Sequence, residues 1–472
     1  MAGRLLLALV VLPLAACSNQ APAPRTEASP ISETKPSLRR PPPTRPTTRP
    51  PTRPAKIITF TGVDDVPDGA WCWFQDERAI VDPEAPAGPL LLITSTSSQG
   101  DNDLVHYNLE TGALGRQRLH GGFEPDDHNT GALLQLADGR YLTAYAAHRR
   151  APRFYWRTSV RPHDPSRWTD QSTLELTNAT VTYSNLHVLR DEEGTERVFN
   201  FTRARDRDPN VLELSTPATG GWDWKGWLVH DPARRPYLRY ASDGRVVHFL
   251  VTDGHPQTSD NSVFHGVFDG STVRDGRGLI VREDLDEAGP TLPSTLTPVF
   301  EGSPAEVPWV VDLEVDPDGR PYALLSSRRD AQLHYHYARF DGERWRVGPL
   351  AHAGTALYEQ QPDYSGLAAL DPEDPSRVVI STNAEPATGA PLISDADGQR
   401  HWEIFAGHSR DDGITWTWSP LTHDSTVDNL RPVIPAWASD RRVLLWMRGT
   451  YRTYQDWDTQ IVGMIQDRAD FE

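Results

Sequence analysis

From Lys56 onward the apolar positions come in short runs, separated by clusters of Gly, Pro, Asp and Asn. Leu90-Leu91-Leu92-Ile93, Val198-Phe199-Asn200-Phe201, Val246-Val247-His248-Phe249-Leu250, Val378-Val379-Ile380 and Val443-Leu444-Leu445-Trp446 are examples. Runs of this length, rich in β-branched and aromatic residues and bounded by turn formers, predict strands. No segment sustains an apolar stripe at helical spacing, so the pattern predicts an all-β domain.

A recurring phrase punctuates the strands, an Asp-Gly turn followed at once by an apolar run. It stands at Asp138-Gly139, Asp243-Gly244 and Asp318-Gly319, with weaker copies at Glu193-Gly194 and Asp397-Gly398. A second phrase ends in tryptophan, as in Asp341-Gly342-Glu343-Arg344-Trp345. Ser409-Arg410-Asp411-Asp412-Gly413-Ile414-Thr415-Trp416 matches the Asp-box pattern S-x-D-x-G-x-T-W at every fixed position. In that pattern Asp and Gly make the turn and Trp packs between neighbouring sheets. Repeated four-stranded units punctuated in this way predict a β-propeller, in which seven blades would take about 60 residues each. Five or six blades, a β-sandwich and a parallel β-helix are the alternatives. The Asp-box is a structural device and carries no chemistry.

Composition narrows the function. Of 472 residues only 2 are cysteine, which excludes a disulfide-stapled scaffold or a Cys-based zinc module, and 15 Trp with 38% hydrophobic residues exclude a disordered chain. The net charge of -18 argues against nucleic-acid binding, which depends on clustered Lys and Arg. Residues 1–17, MAGRLLLALVVLPLAAC, read as a signal peptide. Their ending Leu14-Ala15-Ala16-Cys17 resembles the lipobox of bacterial lipoproteins, which implies lipidation at Cys17. Ser18 follows the cysteine, and the resemblance then implies an outer-membrane lipoprotein with its domain in the periplasm or at the cell surface. Residues 18–55 form a Pro/Thr/Arg-rich linker with 11 prolines between Ala21 and Ala55, expected to be an extended tether. The domain of 56–472 then holds 39 basic against 63 acidic residues. Cys72 is left as the domain's lone thiol and is expected to be a small buried hydrophobe.

The segment Asp126-Asp127-His128-Asn129-Thr130-Gly131, one Asp-Gly turn ahead of Tyr141-Leu142-Thr143-Ala144-Tyr145-Ala146-Ala147-His148, concentrates the chemistry. A hairpin brings His128 and His148 to the same end of one blade, and histidine gives or takes protons near neutral pH. Tyr183, Arg203, Arg235 and Tyr237 flank later strands at the ends where propeller loops form a rim. Ordinary packing and surface charge would account for each of these residues singly. His255 and His265 lie on successive predicted strands, and His334 and His336 share one strand face. Neither pair completes a ligand set, so the metal remains unknown.

Six motifs in order, Trp71-Cys72-Trp73-Phe74-Gln75-Asp76-Glu77-Arg78-Ala79, the His128 and His148 segments, Arg235-Pro236-Tyr237, Asp253-Gly254-His255-Pro256, His334-Tyr335-His336-Tyr337-Ala338-Arg339 and Asp428-Asn429-Leu430-Arg431-Pro432-Val433, resemble one family. It is the sialidase-like (BNR-repeat) propeller family that includes ulvan lyases and related rhamnose–glucuronate lyases and rhamnosidases. The resemblance runs from about Trp71 to about Val462. It implies a seven-bladed β-propeller and a polysaccharide lyase that breaks the bond to a uronate O4 by β-elimination. That chemistry requires a cation at the carboxylate, a base for the C5 proton and an acid for the departing oxygen. The residues matching the family's pattern are His128, His148 and Tyr183 as catalytic groups, and Arg203, Arg235, Tyr237 and Asn129 at the substrate. Arg203, helped by Arg235, is assigned to the carboxylate, His128 and Tyr183 to the acid/base pair, and His148 to orientation.

The resemblance requires no cofactor for chemistry and leaves room for a structural zinc or calcium ion. The expected partners are an anionic polysaccharide and, through the lipid anchor alone, the membrane; the domain is expected to be a monomer. Two other readings are a rhamnosidase-like glycoside hydrolase and a non-catalytic glycan-binding propeller.

Overall fold

The computed structural model describes residues 56–62, 66, 68–176, 180–205, 208–215, 220–286 and 289–468. The signal peptide, Cys17 and the linker of 18–55 lie outside them. The strands gather into seven antiparallel sheets arranged as propeller blades. In chain order the blades span 79–120, 132–175, 182–227, 238–300, 307–354, 368–420 and 428–467. Most have four strands in simple up-and-down order, while the second has five and the fourth six. Helical structure among the described residues is limited to single turns such as Asp127–Asn129.

The predicted runs are the buried strands. Leu90–Thr96 is buried along its whole length, and Val247–Thr252 likewise. The phrases at Asp138, Asp243 and Asp318 and the copy at Glu193 make turns from first to second strand, with Gly139 and Gly244 at φ 80° and 84°, where a side chain would be strained, while Asp397-Gly398 lies between second and third strands. In the Asp-box, Asp411 accepts from the Thr415 amide and hydroxyl and Ser409 Oγ accepts from Gly413 N. Trp416 then packs edge-on to Tyr337 of the preceding blade at 5.1 Å.

The ring closes through the N-terminal strand. Ile58–Thr59 pairs with the last strand, Asp456–Asp467, and becomes the outermost strand of the seventh blade. Phe60, buried beside this seam, meets Tyr107 of the first blade at 5.3 Å.

The first strands of neighbouring blades meet around the axis, and the segment 71–78 plugs it. Trp71 donates to Thr94 O, Trp73 to Ser365 O and Arg78 to Ser184 O. Phe74 stacks on Trp309 at 4.3 Å. Gln75 donates to His128 O and accepts, through its carbonyl, from Arg239 and Arg431. One segment, apolar over 71–74 and polar over 75–78, therefore touches a residue in or next to each blade. Cys72 within it is 1% exposed, the small buried residue expected from the sequence.

Candidate active site

The chain enters each blade's first strand, and passes from second to third strand, on the same face of the propeller. Most of the sequence-predicted residues lie on this face. His128 sits in the single turn before Ala132–Gln135, and His148 follows Tyr141–Tyr145. Tyr183 begins Thr182–Arg190, Arg203 ends Glu196–Arg203, and Arg235 and Tyr237 precede Leu238–Ser242.

The two imidazoles stack, with ring centres 3.9 Å apart and planes 10° from parallel. Asp126 joins them: one carboxylate oxygen meets His128 Nδ1 at 2.7 Å and the other meets His148 Nδ1 at 2.9 Å. Asp127 Oδ1 lies 2.8 Å from His128 Nδ1, and its other oxygen accepts from Tyr451 at 2.5 Å. Asp126 also caps the turn by accepting from His128 N. With both Nδ1 atoms on Asp126, the Nε2 atoms are the ones left for chemistry.

Charge is divided between the rings. Burial opposes charge on His128, but negative charge around it, from Cys72 and Tyr183 when they ionise and from Asp126 and Asp127, lifts its pKa well above the ordinary histidine value. Burial and the neighbouring His128 push His148 down to about 4. Burial also opposes charge on Asp126, yet His128 and His148 hold its carboxyl below the usual range. These shifts favour an imidazolium at His128 and a neutral imidazole at His148 on either side of the Asp126 carboxylate.

Tyr183 stands beside the pair, 5.3 Å from His128 between ring centres. It has φ 61° at a register shift between Thr182 and Asn185, a bulge that turns this side chain out of the strand's alternation. Burial raises its pKa above the ordinary phenol value, so it stays protonated at neutral pH. Arg203 lies between two aromatic faces, 4.9 Å from the Tyr183 ring and 4.4 Å from Tyr237. Its Nη2 donates to Pro236 O, and its buried Nε has no hydrogen-bond partner among the described residues. Arg235 donates to the Tyr237 hydroxyl at 2.8 Å. Tyr237 is buried and acts through these arginines, holding one by its ring and the other by its oxygen.

Asn129 departs from its expected role. It is fully buried, its Oδ1 accepts from His148 N at 2.7 Å and its Nδ2 donates to Glu124 O at 3.0 Å. Both ends of the amide are hydrogen-bonded within the protein, and Asn129 reaches the rim only through its bond to the His148 backbone.

Sequence reasoning quoted Asp126 and Asp127 without giving them a role; their place directly ahead of His128 was the available signal. It missed the tip of the last hairpin entirely. Tyr454 sets its ring edge against both histidines, at 5.3 and 6.1 Å, its carbonyl accepts from Asp127 N, and Gln455 Nε2 donates to Asp126. Nothing local in the sequence joins these residues to a histidine more than 300 positions earlier.

Of the histidines considered for metal, His334 and His336 share a strand face as read, but His255 and His265 do not meet. His265 hydrogen-bonds His248 at 3.0 Å, whereas His255 packs against Trp309 and Tyr237. The groups whose ligand atoms lie within 4.8 Å of one another are Cys72, Asp127 and His128; Asp126, His128 and His148; and Glu77, Asp312 and Glu314. His128 Nδ1 is hydrogen-bonded to Asp126 with Asp127 Oδ1 close by, so a metal in either of the first two sets would have to displace that bond or take Nε2. The third is an all-oxygen set of the kind hard cations take.

A seven-bladed propeller with a histidine, tyrosine and arginine cluster on one rim defines the class. The BNR repeat-containing family matches residues 96–353, and the chain belongs to that family. No curated protein matches the sequence. Among solved structures, an ulvan lyase described as a new family of polysaccharide lyase is similar at 13% identity and TM-score 0.60, over 88% of this chain and 99% of that one. An ulvan lyase bound to -[GlcA(1-4)Rha3S]- is similar at 12% identity and TM-score 0.59, over the same shares. At these identities the likeness is one of fold.

Proposed function

We propose that this protein is a polysaccharide lyase that cleaves a uronate-containing glycan, of the rhamnose–glucuronate type, by β-elimination. The observation that carries the reading is the pair of stacked imidazoles on one carboxylate beside Tyr183 and Arg203, in surroundings that drive the two imidazole pKa values apart. Groups whose surroundings drive their pKa values apart mark the acid and base roles. The ulvan lyases of the same fold support the choice of substrate class by analogy.

Each requirement of the elimination has a group suited to it. A carboxylate entering the site meets the half-buried Arg203 guanidinium and the His128 imidazolium. Together they lower the cost of charge developing at C5. Neutral His148, with its Nδ1–H on Asp126, offers an unprotonated Nε2 to take the C5 proton. Tyr183, a protonated phenol, gives its proton to O4 as the C4–O4 bond breaks and the C4–C5 double bond forms. In this reading His148 takes the role of base and His128 supports the carboxylate, with Tyr183 as the acid. Arg235 supports the carboxylate site through Tyr237.

The experiment follows ultraviolet absorbance of unsaturated uronate together with reducing ends while the domain acts on ulvan, gum arabic and other glucuronate polymers. Absorbance rising with reducing ends is the expected result. His148→Ala and Arg203→Ala should each lower kcat/KM by on the order of 100-fold or more. Reducing ends without absorbance would make the protein a hydrolase, and glycan retention without either product would make it a binding propeller.

A further inference from the structure

The predicted His334-Tyr335-His336 strand found no use in the site above, and it lines a different feature. Between the fifth and sixth blades runs a groove whose first part, about 350 Å³, is walled by His334, His336, His352, Arg329, Trp416 and Trp418. It continues into a second part of about 660 Å³ bordered by Arg320, Arg339 and Arg346, and Pro349 and Ile414 line both. His334 opens the third strand of its blade and His352 lies near the end of the fourth, on the same face as His128. Trp416 belongs to the Asp-box on the opposite face, so the groove follows the flank of the propeller from one face to the other.

Its lining is amphipathic in a particular way. The Trp416 and Trp418 rings are half-buried, 6.3 Å apart and 27° from parallel, beside Ile414, which is 76% exposed. His334 and His352 lie with ring centres 5.2 Å apart. Four arginines line the two parts against two acidic residues, Asp341 and Asp412. The lining is basic on a domain with 63 acidic and 39 basic residues, although acids just outside it pair with three of these arginines: Asp318 with Arg320, Asp316 with Arg339 and, loosely, Glu306 with Arg329. Arg339 is held by Asp316 and Asp412, and Arg346 by Asp341. Arg329 reaches Glu306 only at 4.0 Å and is half exposed, so its charge is the least committed.

We propose that this groove is a second glycan-binding site, separate from the His128–Arg203 site, which holds a stretch of the same acidic polysaccharide along the propeller's flank. The C–H faces of sugar rings pack on the two indoles. Imidazole nitrogens of His334 and His352 meet hydroxyls, and Arg329 meets a carboxylate or sulfate, for which a planar guanidinium is suited. Such a site keeps the polymer on the protein between cleavages and raises its effective concentration at the rim. The choice of an acidic glycan rests on the function proposed above; the existence of the groove does not.

The test is affinity electrophoresis of the folded domain in gels containing ulvan, gum arabic, alginate or neutral dextran. Arg203→Ala is expected to remain retarded by at least one acidic polymer, because the flank site is intact. Arg329→Glu and Trp418→Ala, each made in that background, should weaken the retardation about tenfold. In the otherwise wild-type protein they should raise the apparent KM for polymer and leave kcat on a short oligosaccharide unchanged. Arg329 is exposed, so its substitution keeps the test available if Trp418→Ala fails to fold. Loss of all retardation in Arg203→Ala, full retardation in Arg329→Glu, equal retardation by dextran, or no retardation of wild type by any acidic polymer would each overturn the proposal. Retardation without unsaturated product would instead remove the lyase reading and leave the groove standing.

Discussion

Asp126 is the residue on which the candidate site turns, because one carboxylate holds two imidazoles at Nδ1 and so presents both Nε2 atoms. The pH dependence follows from their charge states. Under the proposed mechanism His148 acts neutral and His128 charged, so kcat/KM should be bell-shaped. Its acid limb should fall as pH approaches about 4, and its alkaline limb should lie well above the ordinary histidine range. Stability follows the same groups with a definite sign. His148 is depressed, so its contribution is present above the ordinary value and declines as pH falls toward about 4; Asp126, also depressed, adds to the loss in acid. His128 is raised, so its contribution is present below the ordinary value and is lost as pH rises through its elevated pKa. A pH series of kcat/KM on the identified polymer checks the profile. An acid limb unchanged in Asp126→Asn would count against the bridging role. His128 and His148 could be picked out in the sequence because one Asp-Gly turn separates their strands. The arrangement of charge between them could not, because it depends on burial and on how the rings stack.

At the scale of elements, two irregularities do the positioning. The bulge at Tyr183 takes a phenol out of the alternation of its strand, and the hairpin tip at 453–456 carries Tyr454 and Gln455 across to the first-strand turn of another blade. A bulge has no local signature beyond a slipped pattern, and a hairpin tip none that names its distant partner. The Asp-box is the opposite case, legible because its hydrogen bonds are local. Gly413 has φ 84°, and a Cβ there would lie 2.4 Å from the Tyr337 ring, so Gly413→Ala combines backbone strain with a steric clash. Gly398 has φ 72° and open space around it. Chemical denaturation followed by circular dichroism should give about 1 kcal/mol of destabilisation for Gly398→Ala and about 2–4 kcal/mol for Gly413→Ala. Equal values would mean that Tyr337 gives way and that the Asp-box does not lock the two blades.

The whole molecule is a ring closed by two devices, the Ile58–Thr59 strand on the last blade and the axial plug of 71–78. Phe60 joins the seventh blade to the first while fully buried, so Phe60→Ala should cost about 3–5 kcal/mol and lower the unfolding midpoint of the entire domain. A separate early transition would show that the blades do not unfold as one unit.

Short apolar runs, Asp-Gly turns and one Asp-box determined the strands, and their repetition with the family resemblance determined seven blades, since turns and alternation are local interactions written in consecutive residues. The motif Trp71 to Arg78 was visible in the same way, as a phrase, but its use as a plug was not. Tertiary structure alone decided that Gln75 would support His128, that Asp126 would split the charge of two imidazoles and that Asn129 would be sealed inside. It also decided that two tryptophans and Arg329 would share a flank groove with His334. The physical reason is common to all of these: they depend on which blades become neighbours and what that contact removes from water, and the ring settles both only when it closes.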